Sequence, residues 1–286
     1  MERKFTRRIK KSVSVVLAFA VTLCIGLGLS GQTVYASTTY TDTESNDSHE
    51  EAQLVSRNAQ TASQAVSGST SVYRYVTGTL SYDDEDWYKV YLYSDDENYL
   101  DLNVGSGTIF VDLYNSSNFE VPMDVFQFQK YGDTGVYEVG VPSDGLYYLI
   151  VYHTTTSISA KYNFTIGNPK YTLGSYTHTF NSTTLAAKGT WEDTVDLTSV
   201  TSIPDRAIGY EISIGGCTSS VSSKRYFYNE FYDQWVATKS TYSYSLPVTD
   251  SSLLDQVWGA RIVSTSSSSK TFSPTMAIRY VAPDLP

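Results

Sequence analysis

An acidic cluster leads directly into an alternating run of side chains in the sequence Asp83-Asp84-Glu85-Asp86-Trp87-Tyr88-Lys89-Val90-Tyr91. From Trp87 onward, successive side chains point to opposite faces if the backbone is extended, which places Tyr88 and Val90 together. Aromatic and β-branched residues also favour strands. The sequence therefore predicts an acidic loop that opens onto a strand with one buried face.

Strand-like runs of the same kind recur along the chain. Before residue 168 they occupy residues 73–76, 99–104, 109–114, 147–152 and 162–166, and after it residues 207–214, 225–235, 257–263 and 276–281. Turn-forming Asp, Asn, Gly and Ser residues separate them, a pattern typical of antiparallel sandwiches. We predict an all-β protein with two antiparallel, jelly-roll-like β-sandwich domains.

The organisation along the chain follows from a break at Gly167-Asn168-Pro169-Lys170. It divides a first sandwich, residues 37–168, from a second β-rich domain of unknown family, residues 169–286. No internal repeat between the halves is recognisable. One short helix is expected after Asp47 or Ser48, because both residue types favour the N-cap position.

The first 36 residues have the features of a secretory signal peptide. Residues 1–11 are basic, residues 12–29 are apolar, and Val34-Tyr35-Ala36 offers the small residues of a cleavage site. An uncleaved membrane anchor is the alternative, but Gly26, Gly28 and the polar residues that follow favour cleavage after Ala36. We therefore expect a secreted, extracellular protein without a membrane anchor.

Charge excludes several classes of partner. Cleavage would remove six of the 20 Lys and Arg residues and one of the 30 Asp and Glu residues, which leaves 14 basic and 29 acidic residues and a net charge of −15. Nucleic acids and anionic membranes need basic patches, so neither is expected as a partner. Cys217 would remain as a single cysteine, unable to form an intrachain disulfide.

Two acidic clusters are candidates for a metal site. The first contains Asp42, Glu44, Asn46 and Asp47, and the second contains Asp83 and Asp86. Ca²⁺ takes about six to eight oxygen ligands, and these side chains supply such oxygens. The first cluster is not an EF-hand loop, which would need Gly and Glu where this chain has Asp47 and Gln53. Solvated loops remain the alternative interpretation.

Residues 40–167 resemble the bacterial pre-peptidase C-terminal domain and its relative, the collagen-binding domain of clostridial collagenases. The matching motifs are Glu44-Ser45-Asn46-Asp47-Ser48, Val76-Thr77-Gly78-Thr79-Leu80, Asp83-Asp84-Glu85-Asp86-Trp87-Tyr88-Lys89-Val90 and Asp144-Gly145-Leu146-Tyr147-Tyr148-Leu149-Ile150-Val151. The resemblance implies a β-sandwich with a structural Ca²⁺ ion.

The same resemblance implies a ligand set. It assigns metal ligation to Asp42, Glu44, Asn46, Asp47, Asp83 and Asp86, and it adds the main-chain carbonyl of Trp87. Asp84 and Glu85 are not part of this ligand set, and we expect them to point away from Asp83 and Asp86 and to face water.

Binding is a better expectation for this chain than catalysis. The three histidines form no H-E-x-x-H motif, and no G-x-S-x-G elbow is present. The 25 tyrosines suit contact with a macromolecule, although tyrosine is also a good strand former. Alternation places Tyr148 and Tyr152 on one face, which makes them candidate ligand-binding aromatics, and residues 226–235 offer a second candidate.

Three functions follow from these features. The first is a non-catalytic, calcium-stabilised protein that binds an extracellular macromolecule, a protein or a polysaccharide, or assists secreted peptidases. The second is a carbohydrate-binding or adhesion protein that acts through residues 169–286. The third, and least favoured, is a hydrolase with an unfamiliar site.

Overall fold

The computed structural model describes residues 38–129, 135–153, 159–217, 223–238 and 243–286. The predicted signal peptide, residues 1–36, lies outside the described residues. The all-β prediction is confirmed, since the described chain forms strands β1 to β20 with one short α-helix and one 3-10 turn. None of the described helices combines the length and apolar character needed to cross a bilayer.

The described residues of the first sandwich form ten strands. They are β1 (Thr38–Thr41), β2 (Gln53–Leu54), β3 (Arg74–Leu80), β4 (Glu85–Leu92), β5 (Asn98–Val104), β6 (Thr108–Asn115), β7 (Asp124–Gln129), β8 (Val136–Val139), β9 (Gly145–Tyr152) and β10 (Ala160–Gly167). Sheet A has the order β1-β3-β10-β5-β8, and sheet B has the order β2-β4-β9-β6-β7.

In the second half of the chain, the described residues also form ten strands. They are β11 (Tyr171–Thr179), β12 (Thr183–Leu185), β13 (Thr190–Asp196), β14 (Ile208–Gly215), β15 (Ser223–Asn229), β16 (Gln234–Ala237), β17 (Ser243–Ser245), β18 (Val257–Ser264), β19 (Lys270–Phe272) and β20 (Thr275–Pro283). Sheet C has the order β11-β20-β14-β17, sheet D has the order β13-β18-β15-β16, and β12 pairs with β19.

Both sandwiches have the strand order of a jelly roll. Sheets A and B contain β3-β10-β5-β8 and β4-β9-β6-β7, and sheets C and D repeat this order with their own strands. Among the strands of the described residues, the pairings are antiparallel except for two short edge pairs, β1 with β3 and β2 with β4, which are parallel. The two halves therefore share a topology that their sequences do not reveal.

Each sandwich encloses its own hydrophobic core. The alternation read from the sequence accounts for the first core, where Tyr88, Val90 and Leu149 are fully buried between sheets A and B. The second core surrounds Trp258 and Ile278, which are also fully buried. Because burial of a large apolar side chain contributes about 1.5–3 kcal/mol, each core is a substantial source of stability.

The prediction of a helix after Asp47 or Ser48 is wrong. Residues 48–51 form a turn, with the Glu51 N–H donating to the Ser48 carbonyl at 3.1 Å, and the chain then enters β2. The α-helix of the first half, α1, instead spans Ala62–Ser67. Thr61 and Gln64 form a capping box there, a short-range signal that the sequence does contain.

Polar contacts join the two sandwiches at Asn168 and Lys170. The Asn58 side-chain amide donates to the Asn168 carbonyl at 2.8 Å, and the Asn168 main-chain N–H donates to the Asn58 carbonyl at 2.9 Å. Lys170 Nζ lies 2.5 Å from Asp101 Oδ2, in an ion pair of which both members are largely buried. The junction is therefore a hydrogen-bonded contact and not a free linker.

A substitution at Gly174 tests the register between β11 and β20 in the second sandwich. It pairs with Tyr280, and a Cβ atom on Gly174 would lie 2.4 Å from the Tyr280 ring. We expect Gly174→Ala to lower the free energy of unfolding by about 1–3 kcal/mol, because the side chain would force the ring to move.

Gly140→Ala is the matched control, since a Cβ there meets nothing within 4 Å. Urea unfolding of both variants measures the difference. Equal midpoints for Gly174→Ala and Gly140→Ala would contradict the packing of Tyr280 over Gly174.

Candidate metal centre

The two acidic segments meet at one edge of the first sandwich. The Asp42 N–H donates to the Thr77 carbonyl at 2.8 Å as the chain leaves β1, which fixes the start of the first segment. The Trp87 N–H donates to the Asn46 carbonyl at 2.8 Å, which holds the end of that segment against the start of β4. Residues far apart in sequence thus become neighbours.

An inner group of carboxylates comprises Asp42, Glu44 and Asp86. One oxygen from each lies within 4.8 Å of the others. Opposite ligands of a single Ca²⁺ ion, each at about 2.3–2.6 Å, are about 4.6–5.2 Å apart. Asp86 is fully buried, Asp42 is half-buried and Glu44 is exposed, so the group extends from the interior to the surface.

An outer group shares Glu44 and adds Asp47 and Asp84, again with oxygens within 4.8 Å of one another. Asp84 was expected to face water, whereas Asp83 belongs to neither group among the described residues. Alternation does not apply at Asp83 because its φ is +57° and β4 begins only at Glu85. The Ser81 N–H donates to Asp84 Oδ2 at 2.8 Å and fixes that side chain.

Asn46 is completely buried beside the inner group. Its Nδ2 donates to Asp42 Oδ1 at 3.0 Å and lies 3.5 Å from the Trp87 carbonyl oxygen, while its Oδ1 has no hydrogen-bond partner. Rotation of the amide would exchange these two atoms, because the two orientations have the same shape. The side chain can therefore present an oxygen to a cation between Asp42 and Trp87.

Asp86 is the second buried group with an unpartnered oxygen. Its Oδ2 accepts from the Tyr162 hydroxyl at 2.6 Å, and its Oδ1 has no partner. Burial raises the pKa of Asp86 well above its usual range, and the nearby Asp42, Asp84 and Glu44 raise it further, although the Tyr162 hydroxyl opposes the shift. A cation at this position would favour the charged carboxylate.

Two tyrosines connect the acidic residues beneath the surface. The Tyr88 hydroxyl donates to Asp42 Oδ1 at 2.9 Å and lies 2.5 Å from the Tyr162 hydroxyl. Gly78 makes room for this arrangement, because a Cβ there would lie 2.2 Å from Tyr162 Oη. No local pattern in the sequence marks either tyrosine as part of the site, since their role depends on strand pairing across the sandwich. The complete arrangement can hold a metal ion with oxygen ligands.

A cluster of aromatic side chains covers the outer face of sheet B, next to the metal centre. Trp87 lies 5.5 Å from Tyr114 between ring centroids, and Phe119 lies 5.0 Å from Tyr148. Tyr148 and Tyr152 lie on this face, as alternation along β9 requires, whereas Tyr147 is buried in the core.

The three histidines have packing or main-chain contacts in the described part of the chain. His49 stacks on Phe119 at 4.0 Å, His153 Nε2 lies 2.8 Å from the Ser81 carbonyl oxygen, and His178 packs edge-on against Phe180. None of these contacts has the geometry of a nucleophile and its general base.

Comparison with solved structures finds a similar fold in a "putative secreted protein" from Eubacterium rectale. The TM-score is 0.53 at 14% identity, over 90% of this chain and 84% of that chain. At this identity the similarity establishes the fold alone. No family model and no curated protein matches the chain.

Two further solved structures align with parts of the chain. A periplasmic inhibitor of g-type lysozyme from Salmonella Typhimurium aligns with 40% of this chain and 97% of its own, at 13% identity and a TM-score of 0.25. The Sulfolobus Turreted Icosahedral Virus structure aligns with 73% of this chain and 58% of its own, at 10% identity and a TM-score of 0.25. These TM-scores support no inference about this chain.

Asp86 and Asp83 provide a matched pair for testing the metal centre. We expect Ca²⁺ to raise the melting temperature of the unmodified protein, by the equivalent of about 2.7 kcal/mol at 100 times the dissociation constant. Asp86→Asn should abolish this increase, because it removes the buried charge and keeps a partner for Tyr162. Asp83→Asn should retain it.

Differential scanning calorimetry with and without chelator measures all three proteins. Loss of the Ca²⁺ effect in Asp83→Asn, combined with its retention in Asp86→Asn, would contradict the arrangement of the two acidic groups.

Proposed function

We propose that this protein is secreted, that a Ca²⁺ ion fastens its N-terminal segment to the first sandwich, and that the aromatic face of sheet B binds an extracellular macromolecule without catalysis. The proposal rests on the positions of two adjacent residues of β4, Asp86 and Trp87. Asp86 belongs to the inner carboxylate group, and Trp87 belongs to the aromatic cluster. Metal binding and the aromatic face are therefore connected through one strand.

Secretion is supported by features of the sequence. Residues 1–36 have the pattern of a signal peptide, and the "putative secreted protein" from Eubacterium rectale has a similar fold. An extracellular module can use a weak Ca²⁺ site, since dissociation constants of about 10⁻⁴–10⁻³ M are typical there.

Calcium as the ion is supported by the chemistry of the ligands. Carboxylate, amide and main-chain oxygens are the donors that Ca²⁺ prefers, and no sulfur or imidazole belongs to either group among the described residues. The resemblance to the pre-peptidase C-terminal domain points to the same ion. It also makes a secreted peptidase one of the partners to test.

The metal centre supports the aromatic face through the N-terminal segment. His49, in the turn that follows Asn46, stacks on Phe119 at 4.0 Å and lies 5.9 Å from Trp87. Release of the segment would therefore remove one side of the aromatic cluster. Ligand binding should then weaken when Ca²⁺ is removed, even at temperatures where the sandwich remains folded.

Tyr148→Ala and Tyr152→Ala test the aromatic face. We expect both variants to lose binding in sedimentation assays with insoluble collagen and with insoluble polysaccharides, because truncation of an aromatic contact residue often costs about 2 kcal/mol or more. Chelation should weaken binding of the unmodified protein to the same material.

Phe231→Ala is the control for a general loss of exposed aromatic surface, since Phe231 is 65% exposed in the second sandwich. Binding that survives both tyrosine substitutions but fails in Phe231→Ala would contradict the proposal.

A second candidate function, saccharide binding by the second sandwich, is favoured by the outer face of sheet D. The Trp235 ring reaches over Gly259, where an added Cβ would lie 3.1 Å from it, and Arg261 Cζ lies 4.2 Å from the ring centroid. Tyr228 lies 5.6 Å from Trp235, and Arg261 Nε donates to Glu192 at 2.6 Å. Flat rings beside paired donors and acceptors suit a sugar.

Trp235→Ala distinguishes this candidate from the first. If sheet D binds saccharides, the variant should lose retention on polysaccharide affinity gels and keep its binding to insoluble collagen. Retention on the gels that is equal for Trp235→Ala and the unmodified protein would exclude sheet D as the saccharide site.

A further inference from the structure

A carboxylate lies within the aromatic face of sheet B. Asp112 is on β6 between Phe110 and Tyr114, and it pairs in register with Ile150 of β9. It accepts a hydrogen bond from the Tyr152 hydroxyl at 3.2 Å and another from the Tyr114 hydroxyl. The side chain is half-buried, and partial burial raises the pKa of its carboxyl despite these two hydrogen bonds.

Two aromatic pairs lie on either side of this carboxylate. Phe110 and Tyr152 stack with centroids 5.5 Å apart and planes 22° apart. Trp87 and Tyr114 lie 5.5 Å apart with planes 31° apart. We call these four rings the aromatic frame. Asp112 and the aromatic frame together place a negative charge among the electron-rich faces of aromatic rings.

No basic side chain of the described residues forms an ion pair with Asp112. Glu85, which pairs in register with Tyr152, is a second acid at this face. It raises the pKa of Tyr114 after desolvation and Asp112, and that of Tyr152 after desolvation, Asp112 and Tyr114. A carboxylate that is partly desolvated and has no counter-cation is costly. A cation from outside the chain would offset that cost.

We infer that Asp112 and the aromatic frame bind a cationic side chain, lysine or arginine, of an extracellular protein. This inference rests on the proposed function, since it names the chemistry of the partner at the same face. The carboxylate supplies a charge-assisted hydrogen bond, and the rings supply cation–π contacts, which favour a guanidinium or ammonium group within about 6 Å of a ring.

Charge complementarity distinguishes this occupant from others. An anionic partner would meet Asp112, Glu85 and a mature chain of net charge −15, and a neutral sugar would leave the carboxylate without a counter-charge. A basic protein surface would be attracted both by Asp112 and by the negative electrostatic potential of the whole molecule. The metal centre contributes by holding Trp87, one of the four rings, in place.

Nuclear magnetic resonance of the mature chain, residues 37–286, tests the inference with small probes that limit non-specific attraction. Acetyl-Gly-Lys-Gly-amide and acetyl-Gly-Arg-Gly-amide should shift amide resonances of β6 and β9. The uncharged control peptide, acetyl-Gly-norleucine-Gly-amide, should not. Asp112→Asn should weaken binding about tenfold or more, because it removes a charge-assisted hydrogen bond. Tyr152→Phe should retain the ring contact and most of the binding.

Asp124→Asn is the charge-matched control, since Asp124 is exposed at the start of β7 and its loss changes the net charge equally. Equal binding by Asp112→Asn and Asp124→Asn would overturn the inference, as would shifts that the norleucine peptide reproduces. If lysine and arginine peptides cause no shifts while Tyr148 and Tyr152 still support binding to collagen or polysaccharide, the inference fails and the proposed function stands. If the peptides bind while every macromolecule fails, the proposed function fails instead.

Discussion

The first sandwich depends on a buried carboxylate that has too little compensation within the protein. Asp86 lies in the interior at the start of β4, with one oxygen bonded to Tyr162 and the other without a partner. Asp42 and Glu44 approach it from the N-terminal segment. Because like charges at this separation repel, a cation bound between these oxygens would stabilise both the position of the segment and the clustering of the acids.

The N-terminal segment and β4 connect the acidic residues at the edge of the sandwich with the aromatic cluster on its surface. The segment that carries Asp42 and Asn46 continues into the turn that places His49 on the aromatic cluster, and β4 presents Trp87 to the same cluster. Sheet D is the counterpart of sheet B in the repeated jelly roll, and its outer face also carries aromatic side chains around Trp235. Both halves of the chain thus use the equivalent sheet to display aromatic rings.

Much of this arrangement could be predicted from local pattern. Alternation along 87–92 and 147–152 predicted which side chains share a face, because successive side chains of a strand point to opposite sides of the sheet. The acidic residues indicated the candidate metal centre, but the grouping of Asp84 with it could not be read from the sequence, because a positive φ at Asp83 interrupts the extended backbone. The roles of Tyr88, Tyr162 and Gly78 could not be predicted, because they arise from pairing between strands that are distant in sequence. The shared topology of the two halves was hidden for the same reason.

The central claim is that a Ca²⁺ ion joins the N-terminal segment to β4. Crystals grown with Ca²⁺ and measured at a wavelength where calcium scatters anomalously test it most directly. We expect one anomalous peak at about 2.3–2.6 Å from oxygens of Asp42, Glu44, Asn46 and Asp86. Absence of a peak there at saturating Ca²⁺, with the segment in the same position, would contradict it.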